Sequence, residues 1–191
     1  MKRAIVLILL FCRAHLNDVF ALRTAPVSNV CFVQNEVDLH GAANNPWCKR
    51  IELTEDINLS TRVWIASKEL IVDGKGHFVH GQKATQCLNI TSSSTVALVN
   101  VTMRGCSSGG PGGAIYVRDS DLNMRKCEFV DNSSLEDGGA VCAQNGLLSA
   151  SECSFLQNEA RDGGAIFAHN TKVHLTLCDF RSNTPNDITN G

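Results

Sequence analysis

Three stretches of this chain repeat one another at a nearly fixed step, and that periodicity constrains the fold more than any other feature. Gly112-Gly113-Ala114-Ile115, Gly138-Gly139-Ala140-Val141 and Gly163-Gly164-Ala165-Ile166 are spaced 26 and then 25 residues apart. Behind them, in the same register, run Phe129-Val-Asp-Asn132, Phe155-Leu-Gln-Asn158 and Phe180-Arg-Ser-Asn183. A step of this size is the signature of a solenoid, in which each unit buries its apolar side only against the next. Between each Gly-Gly pair and the following Phe lie Leu122-Asn-Met124, Leu148-Ser-Ala150 and Val173-His-Leu175, short alternations suited to half-buried strands. Gly, Asn, Asp and Ser fill the gaps as turn formers. The leucine frame of the leucine-rich repeat is missing. The expected architecture is therefore all-β: a right-handed parallel β-helix of about five rungs, with some three strands per rung and like residues stacked about 4.8 Å apart.

Stacking explains the recurring residue types. Phe129, Phe155 and Phe180 are expected to form an aromatic ladder in the bore, and Asn132, Asn158 and Asn183 an amide ladder in which each side chain donates to one neighbour and accepts from the other. Cys127, Cys153 and Cys178 share a register and read as small apolar packing residues. The glycines at 112, 113, 138, 139, 163 and 164 read as tight-turn positions, some at positive φ. Weaker rungs extend upstream. Met103 precedes Phe129 by one step, Cys106 takes the amide slot, and Ile51-Glu-Leu53, Ile57-Asn-Leu59 and Val63-Trp-Ile65 open the array, with Trp64 read as part of the apolar opening rung.

The pairing of Gly-Gly-Ala-Ile with Phe-x-x-Asn resembles the repeat of the polymorphic outer-membrane proteins of chlamydial type. Asp73-Gly-Lys-Gly-His77 resembles an opening rung of the wider pectin-lyase-like β-helix superfamily. The motif match covers about residues 112 to 187, with a fainter one back to about 51. That resemblance implies the passenger fold of a surface adhesin.

The start of the chain has the layout of a secretory leader. Lys2-Arg3 precede the apolar run from Ala4 to Cys12, too short for a stable membrane span, and Val19-Phe-Ala21 offers a small-residue cleavage site. The organisation expected is a signal peptide over 1–21, a cap segment over 22–50 and the β-helix over 51–191, which places the protein outside the cell or on its surface. Eight of the nine cysteines lie beyond the leader. An even set in an exported chain points to disulfides, and Cys31 with Cys48 is the expected bridge, since both precede the regular rungs where a cap needs tethering. Pairings among the others stay open. Sequons at Asn58, Asn89 and Asn100 are candidate glycosylation sites on surface turns, whereas Asn132, also in a sequon, belongs to the amide ladder.

With 17 basic and 19 acidic residues the chain has no pull toward nucleic acid. Lys49-Arg50 and Arg125-Lys126 read as solvated faces. Close Cys pairs of zinc spacing are missing, and no cofactor or metal is implied. Hydrolysis or elimination on such a scaffold requires carboxylates converging on one groove. The candidates are Asp119 with Asp121, Glu136 with Asp137, Arg161 with Asp162, and the cluster Asp73, Lys75, His77. They fall beside Gly or Ser, in turns, and no catalytic residues are assigned. An aromatic sugar platform has only Trp47, Trp64 and Tyr116 to draw on. The reading is a secreted or cell-surface, non-catalytic binding and adhesion module for a glycan or protein receptor. The alternatives are a polysaccharide lyase or glycoside hydrolase, and a structural fragment of a larger repeat protein whose open strand edges invite end-to-end self-association.

Overall fold

A computed structural model describes residues 29–191. The leader expected over 1–21, and the first part of the cap segment, lie outside the described residues.

The chain forms a parallel β-helix of about six turns. Each full rung contributes one strand to each of three faces, and the cap adds one more to the first. The first face stacks β1 (Val30–Val33), β2 (Arg50–Leu53), β5 (Glu69–Asp73), β8 (Thr95–Val99), β12 (Asp121–Arg125) and the later halves of β15 (Val141–Ser151) and β17 (Ile166–Thr176). A second, six-stranded face stacks β3 (Ile57–Asn58), β6 (Phe78–His80), β9 (Thr102–Arg104), β13 (Glu128–Val130), β16 (Ser154–Leu156) and β18 (Asp179–Arg181). The third face stacks β4 (Val63–Ala66), β7 (Leu88–Thr91), β11 (Ile115–Arg118), the earlier halves of β15 and β17, and β19 (Ile188–Asn190). Because β15 and β17 run continuously round a corner, the first and third faces form one 11-stranded sheet. Between the second and third faces, β10 (Ser107–Ser108) pairs with β14 (Ser133–Ser134).

Every pairing between strands is parallel and in register, so equivalent residues lie above one another. Ile57, Val79, Met103, Phe129, Phe155 and Phe180 make one inward column. Val63, Leu88, Ile115, Val141, Ile166 and Ile188 make another. The alternation of strand side chains sends the intervening residues outward. Phe129 and Phe155 stack with ring centroids 5.0 Å apart, and Phe155 and Phe180 at 4.9 Å. The first two rings are fully buried, while Phe180, on the last rung, is half-exposed. The amide ladder runs alongside: Asn132 Nδ2 donates to Asn158 Oδ1 at 3.0 Å, and Asn158 Nδ2 to Asn183 Oδ1 at 2.9 Å. Each amide also donates to a bore carbonyl of the rung before, from Asn158 to the oxygen of Phe129 at 3.0 Å, for example. In this way polar side chains sit inside the solenoid with their donors and acceptors satisfied.

The rungs outnumber the five expected because the opening ones are short. Arg50 pairs with Ile71, only 21 positions on, and no Gly-Gly or Phe motif marks them. Corners follow one rule. Asn100, Lys126, Glu152 and Leu177, which join the first face to the second, have φ between 48 and 55°. Asp119, Asn145 and Asn170, which join the third face to the first, lie between 47 and 58°. A single left-handed residue turns the chain, at a local cost that stacking of the rungs offsets. In each Gly-Gly pair the first residue has positive φ and the second meets its neighbours without a Cβ. A Cβ at Gly139 would run into the Gly164 carbonyl oxygen and lie 2.6 Å from the Glu159 nitrogen.

The cap contains a helix absent from the strand-only reading. α1 (Glu36–Asn44) starts at Asn35, whose side-chain oxygen accepts from the Asp38 N–H at 2.9 Å. The Glu36 carboxylate receives the backbone N–H groups of Ser60 and Thr61, each at 2.9 Å. At the other end Lys68 Nζ donates to the carbonyls of Ala42, Ala43 and Asn45, at 3.0, 3.0 and 2.8 Å. One lysine therefore satisfies three of the carbonyls that a helix C-terminus leaves free. A Cys31–Cys48 disulfide ties the helix between β1 and β2. A second bridge, Cys87–Cys106, joins the rungs on either side of it.

Candidate functional site

The outward side of the third face carries a column of aromatic side chains that the bore does not use. Its first outward column reads Trp64, Asn89, Tyr116, Cys142, Phe167 and Thr189, and the next reads Ala66, Thr91, Arg118, Gln144 and His169. Aromatic rings thus recur on every second rung, a step of about 9.6 Å for two strand spacings. Trp64 is 51% exposed, so it stands outside the opening rung rather than in its apolar core, where Val63 and Ile65 point. The guanidinium of Arg62 lies 5.8 Å from its ring centroid. Between Trp64 and α1 opens a cleft of about 260 Å³ lined by Asn44, Lys49, Trp64 and Lys68. Trp47 is exposed on the cap.

Further along, Tyr116 donates its hydroxyl to Gln144 Oε1 at 2.8 Å, fixing the phenol across the face, and burial raises its hydroxyl above the ordinary tyrosine range. Cys142 is fully buried below it. Burial, followed by the carboxylates of Asp137 and Glu136, pushes its thiol up to about 12, so it stays protonated and unreactive.

Asn89 corrects one expectation. Its sequon predicts a surface turn, but it sits in mid-strand between Trp64 and Tyr116, 5% exposed, with Nδ2 held by Gln86 Oε1 at 3.4 Å. A buried amide in a strand has no room for a glycan. Its Oδ1 has no hydrogen-bond partner. Gln86 itself is buried and donates to the carbonyls of Pro111 and Gly112, clamping the loop against the face. By contrast Asn58 and Asn100 are exposed, Asn100 at a left-handed corner, and Asn132 is buried in the amide ladder.

The candidate acids are spread over separate corners, each engaged in turn geometry. Asp121 accepts from the Leu147 N–H and Asp119 from Asn145 Nδ2, both at 2.9 Å, beside a shallow cleft of about 340 Å³. Asp137 pairs with Arg161 of the next rung at 3.0 Å, while Glu136 stands next to it with its N–H on Ser134. Asp162 accepts from Thr189 Oγ1 at 2.6 Å and from the Gly163 N–H at 2.9 Å, which hold its carboxyl below the usual range despite the cost of desolvation. Asp73 is the most buried acid of the set. Burial pushes it up, but the Lys75 N–H, the Lys75 ammonium and Arg50 outweigh that and hold it ionised. Glu52 completes this ion cluster with Arg50 at 2.7 Å and Lys75 at 3.4 Å. His77 pairs outside it with Asp56 at 3.2 Å. Among the described residues no group of three or more His, Cys, Asp or Glu is placed to hold a metal ion, and no helix is long and apolar enough to cross a membrane.

The Chlamydia polymorphic membrane protein repeat matches residues 126–144 and 152–169. This chain carries polymorphic membrane protein repeats. Each matched stretch starts at the left-handed corner residue, Lys126 or Glu152, and runs through the Cys, Phe and Asn ladders and the Gly-Gly turn to the outward Gln144 or His169 of the third face. The repeat is thus two faces of one rung and the corner between them. The Gly112-Gly113 turn lies before the matched residues. The chain is similar to the probable outer membrane protein pmp21 of Chlamydia pneumoniae, 35% identical over 98 residues, which are 49% of this chain and 6% of that protein. It is also similar to the probable outer membrane protein pmp20 of the same organism, 30% identical over 82 residues, 40% of this chain and 5% of that one. It therefore spans a small fraction of the curated relatives it matches. No solved structure matches it.

Proposed function

We propose that this chain is a cell-surface β-helix that acts as a non-catalytic binding module, presenting the outward side of its third face to a glycan or protein receptor. The observation that carries the reading is the outward column in which Trp64, Tyr116 and Phe167 recur on alternate rungs of a rigid sheet. Rings held at fixed spacing lose little freedom on binding, and an aromatic face with amide neighbours suits the apolar faces and hydroxyls of a sugar as well as a peptide. The polymorphic membrane protein repeats, shared with relatives named as outer membrane proteins, support a surface location. The non-catalytic part is supported by the acids, which turn N–H groups, hydroxyls and cations of neighbouring rungs hold at separate corners.

A glycan and protein-receptor array with the secreted chain, run beside Trp64→Ala and Tyr116→Ala, tests the reading. Binding that falls about tenfold or more in either variant, with the circular dichroism spectrum unchanged, is the expected result. Release of reducing ends or unsaturated products from pectin, alginate or chitosan, abolished by Asp73→Ala in a folded chain, would replace it with an enzyme.

A further inference from the structure

The three ladder cysteines have a geometry that packing alone does not require. Cys127, Cys153 and Cys178 occupy one position of the last three rungs, each just before a strand of the second face. The Ser154 N–H donates to the Cys127 carbonyl and the Asp179 N–H to the Cys153 carbonyl, both at 2.9 Å, so the three are in strict register. Consecutive rungs stand about 4.8 Å apart. That lies within the roughly 4.4–6.8 Å between Cα atoms that a disulfide spans. All three are free thiols. Their access is graded: Cys127 and Cys153 are buried and Cys178 is half-exposed. A corner groove of about 470 Å³, lined by Lys126, Cys127, Glu152, Cys153 and Leu177, runs along the column. Two further pairs of this chain, Cys31–Cys48 and Cys87–Cys106, are disulfides, which belongs to a compartment where disulfides persist.

We propose that Cys127, Cys153 and Cys178 form a thiol–disulfide relay, in which the half-exposed Cys178 takes an oxidising equivalent from a small disulfide and passes it inward to leave a Cys127–Cys153 staple between adjacent rungs. The Cys178 thiol releases its proton to solvent, and its thiolate attacks one sulfur of the reagent disulfide. The reagent S–S bond breaks, a mixed disulfide forms on Cys178, and one reagent thiolate leaves. Cys153 then loses its proton and attacks the Cys178 sulfur, expelling the second reagent thiolate. Cys127 loses its proton and attacks the Cys153 sulfur, and Cys178 departs as a thiolate that is reprotonated. In sum two protein thiols give up two protons and two electrons, and one small disulfide becomes two thiols.

Register serves this chemistry directly. Displacement at sulfur needs the attacking, central and leaving sulfurs in a line, and a column of stacked side chains supplies one. The neighbouring Cys153 thiol, followed by burial, raises the Cys127 thiol, and the same neighbour interaction lowers that of Cys153. Cys153 is thereby the better thiolate, and buried Cys127 the poorer leaving group. Exchange consequently drains toward the Cys127–Cys153 bond and away from the solvated Cys178. Cys142, on a different face with its thiol protonated, takes no part.

The test treats the whole folded chain with oxidised glutathione, traps free thiols by alkylation and cleaves at glutamate. Cuts after Glu128, Glu136 and Glu152 put Cys127, Cys142 and Cys153 on separate peptides. The expected product is a cross-linked Cys127–Cys153 peptide pair, two hydrogens lighter than its parts, with Cys178 recovered as a free thiol. Cys178→Ser slows its formation by about tenfold or more, and Cys142→Ser leaves the rate unchanged. A glutathione adduct that persists on Cys178 with no cross-link, a ladder that stays reduced, or a Cys178→Ser chain that links at the rate of the natural one each overturns the relay.

Discussion

Replacing Phe155 by alanine removes the central ring of the bore. Its side chain is fully buried and stacks on Phe129 at 5.0 Å and on Phe180 at 4.9 Å, with the ring planes within 7° of parallel. Truncation of a fully buried Phe costs about 3–5 kcal/mol through lost transfer energy and the cavity left behind. Each stacked pair adds about 0.5–1.5 kcal/mol beyond area burial, which places Phe155→Ala at the upper end, about 5 kcal/mol. Phe180 has one ring neighbour and is half-exposed, so Phe180→Ala costs about 2 kcal/mol. The assay is urea unfolding followed both by far-ultraviolet circular dichroism and by tryptophan fluorescence. Trp47 and Trp64 lie in the cap and the first rung, and in a solenoid a rung feels mainly its neighbours. The dichroism midpoint therefore falls further than the fluorescence midpoint in Phe155→Ala. A cost below about 1 kcal/mol, or one no larger than that of Phe180→Ala, refutes the stacked-bore reasoning.

Three other perturbations probe separate parts of the molecule. Asn158→Ala strands the Phe129 carbonyl and the Asn132 donors that Asn158 now satisfies, and loses about 3 kcal/mol in the same urea assay; a loss under about 1 kcal/mol leaves the amide ladder without a structural role. Leu177→Gly, at an exposed corner with φ 54°, relieves about 1–2 kcal/mol of left-handed strain against about 0.5–1 kcal/mol of added chain entropy, so it is stabilising by a few tenths, and a clear loss contradicts the corner rule. For Glu36, desolvation raises the carboxyl but the Thr61 and Ser60 N–H and hydroxyl groups outweigh it and hold it down at about 2, against 4.5 when unfolded. Its contribution is accordingly present above pH 4.5 and is lost as pH falls toward 2. Screened by solvent, it amounts to about 1–2 kcal/mol, and the stability gap between the natural chain and Glu36→Gln should close over that range. A gap that stays constant with pH removes Glu36 from the account.

The regular rungs were legible because stacking forces equivalent positions toward the same residue type, and Phe129, Phe155, Phe180 and their Asn partners are inward at every turn. Where the constraint is on backbone rather than side chain, the sequence carries little signal. Lys126, Glu152 and Leu177 hold the same left-handed conformation as Asn100 yet share no chemistry with it. The helix α1 is short and its hydrophobic pattern weak, although Asn35 with Asp38 three positions on is a local capping signature. Trp64 stands outside the apolar opening rung, and the alternation Val63-Trp64-Ile65 already sends that middle residue outward. Asn89 obeys the same alternation, and its burial comes from Gln86 and the loop it clamps, a tertiary contact that no local pattern encodes. Cys106 occupies the amide slot, as its spacing indicates, but its partner Cys87 belongs to the preceding rung, and only the path of the chain between them brings the two together.

The stacked bore is tested most directly by nuclear Overhauser contacts between ring protons in a chain whose phenylalanines are isotopically labelled and assigned by single substitution. In-register rungs give cross-peaks between Phe129 and Phe155 and between Phe155 and Phe180, with none between Phe129 and Phe180. A missing Phe129–Phe155 contact, or a direct one between Phe129 and Phe180, contradicts the architecture and everything built on its outward faces.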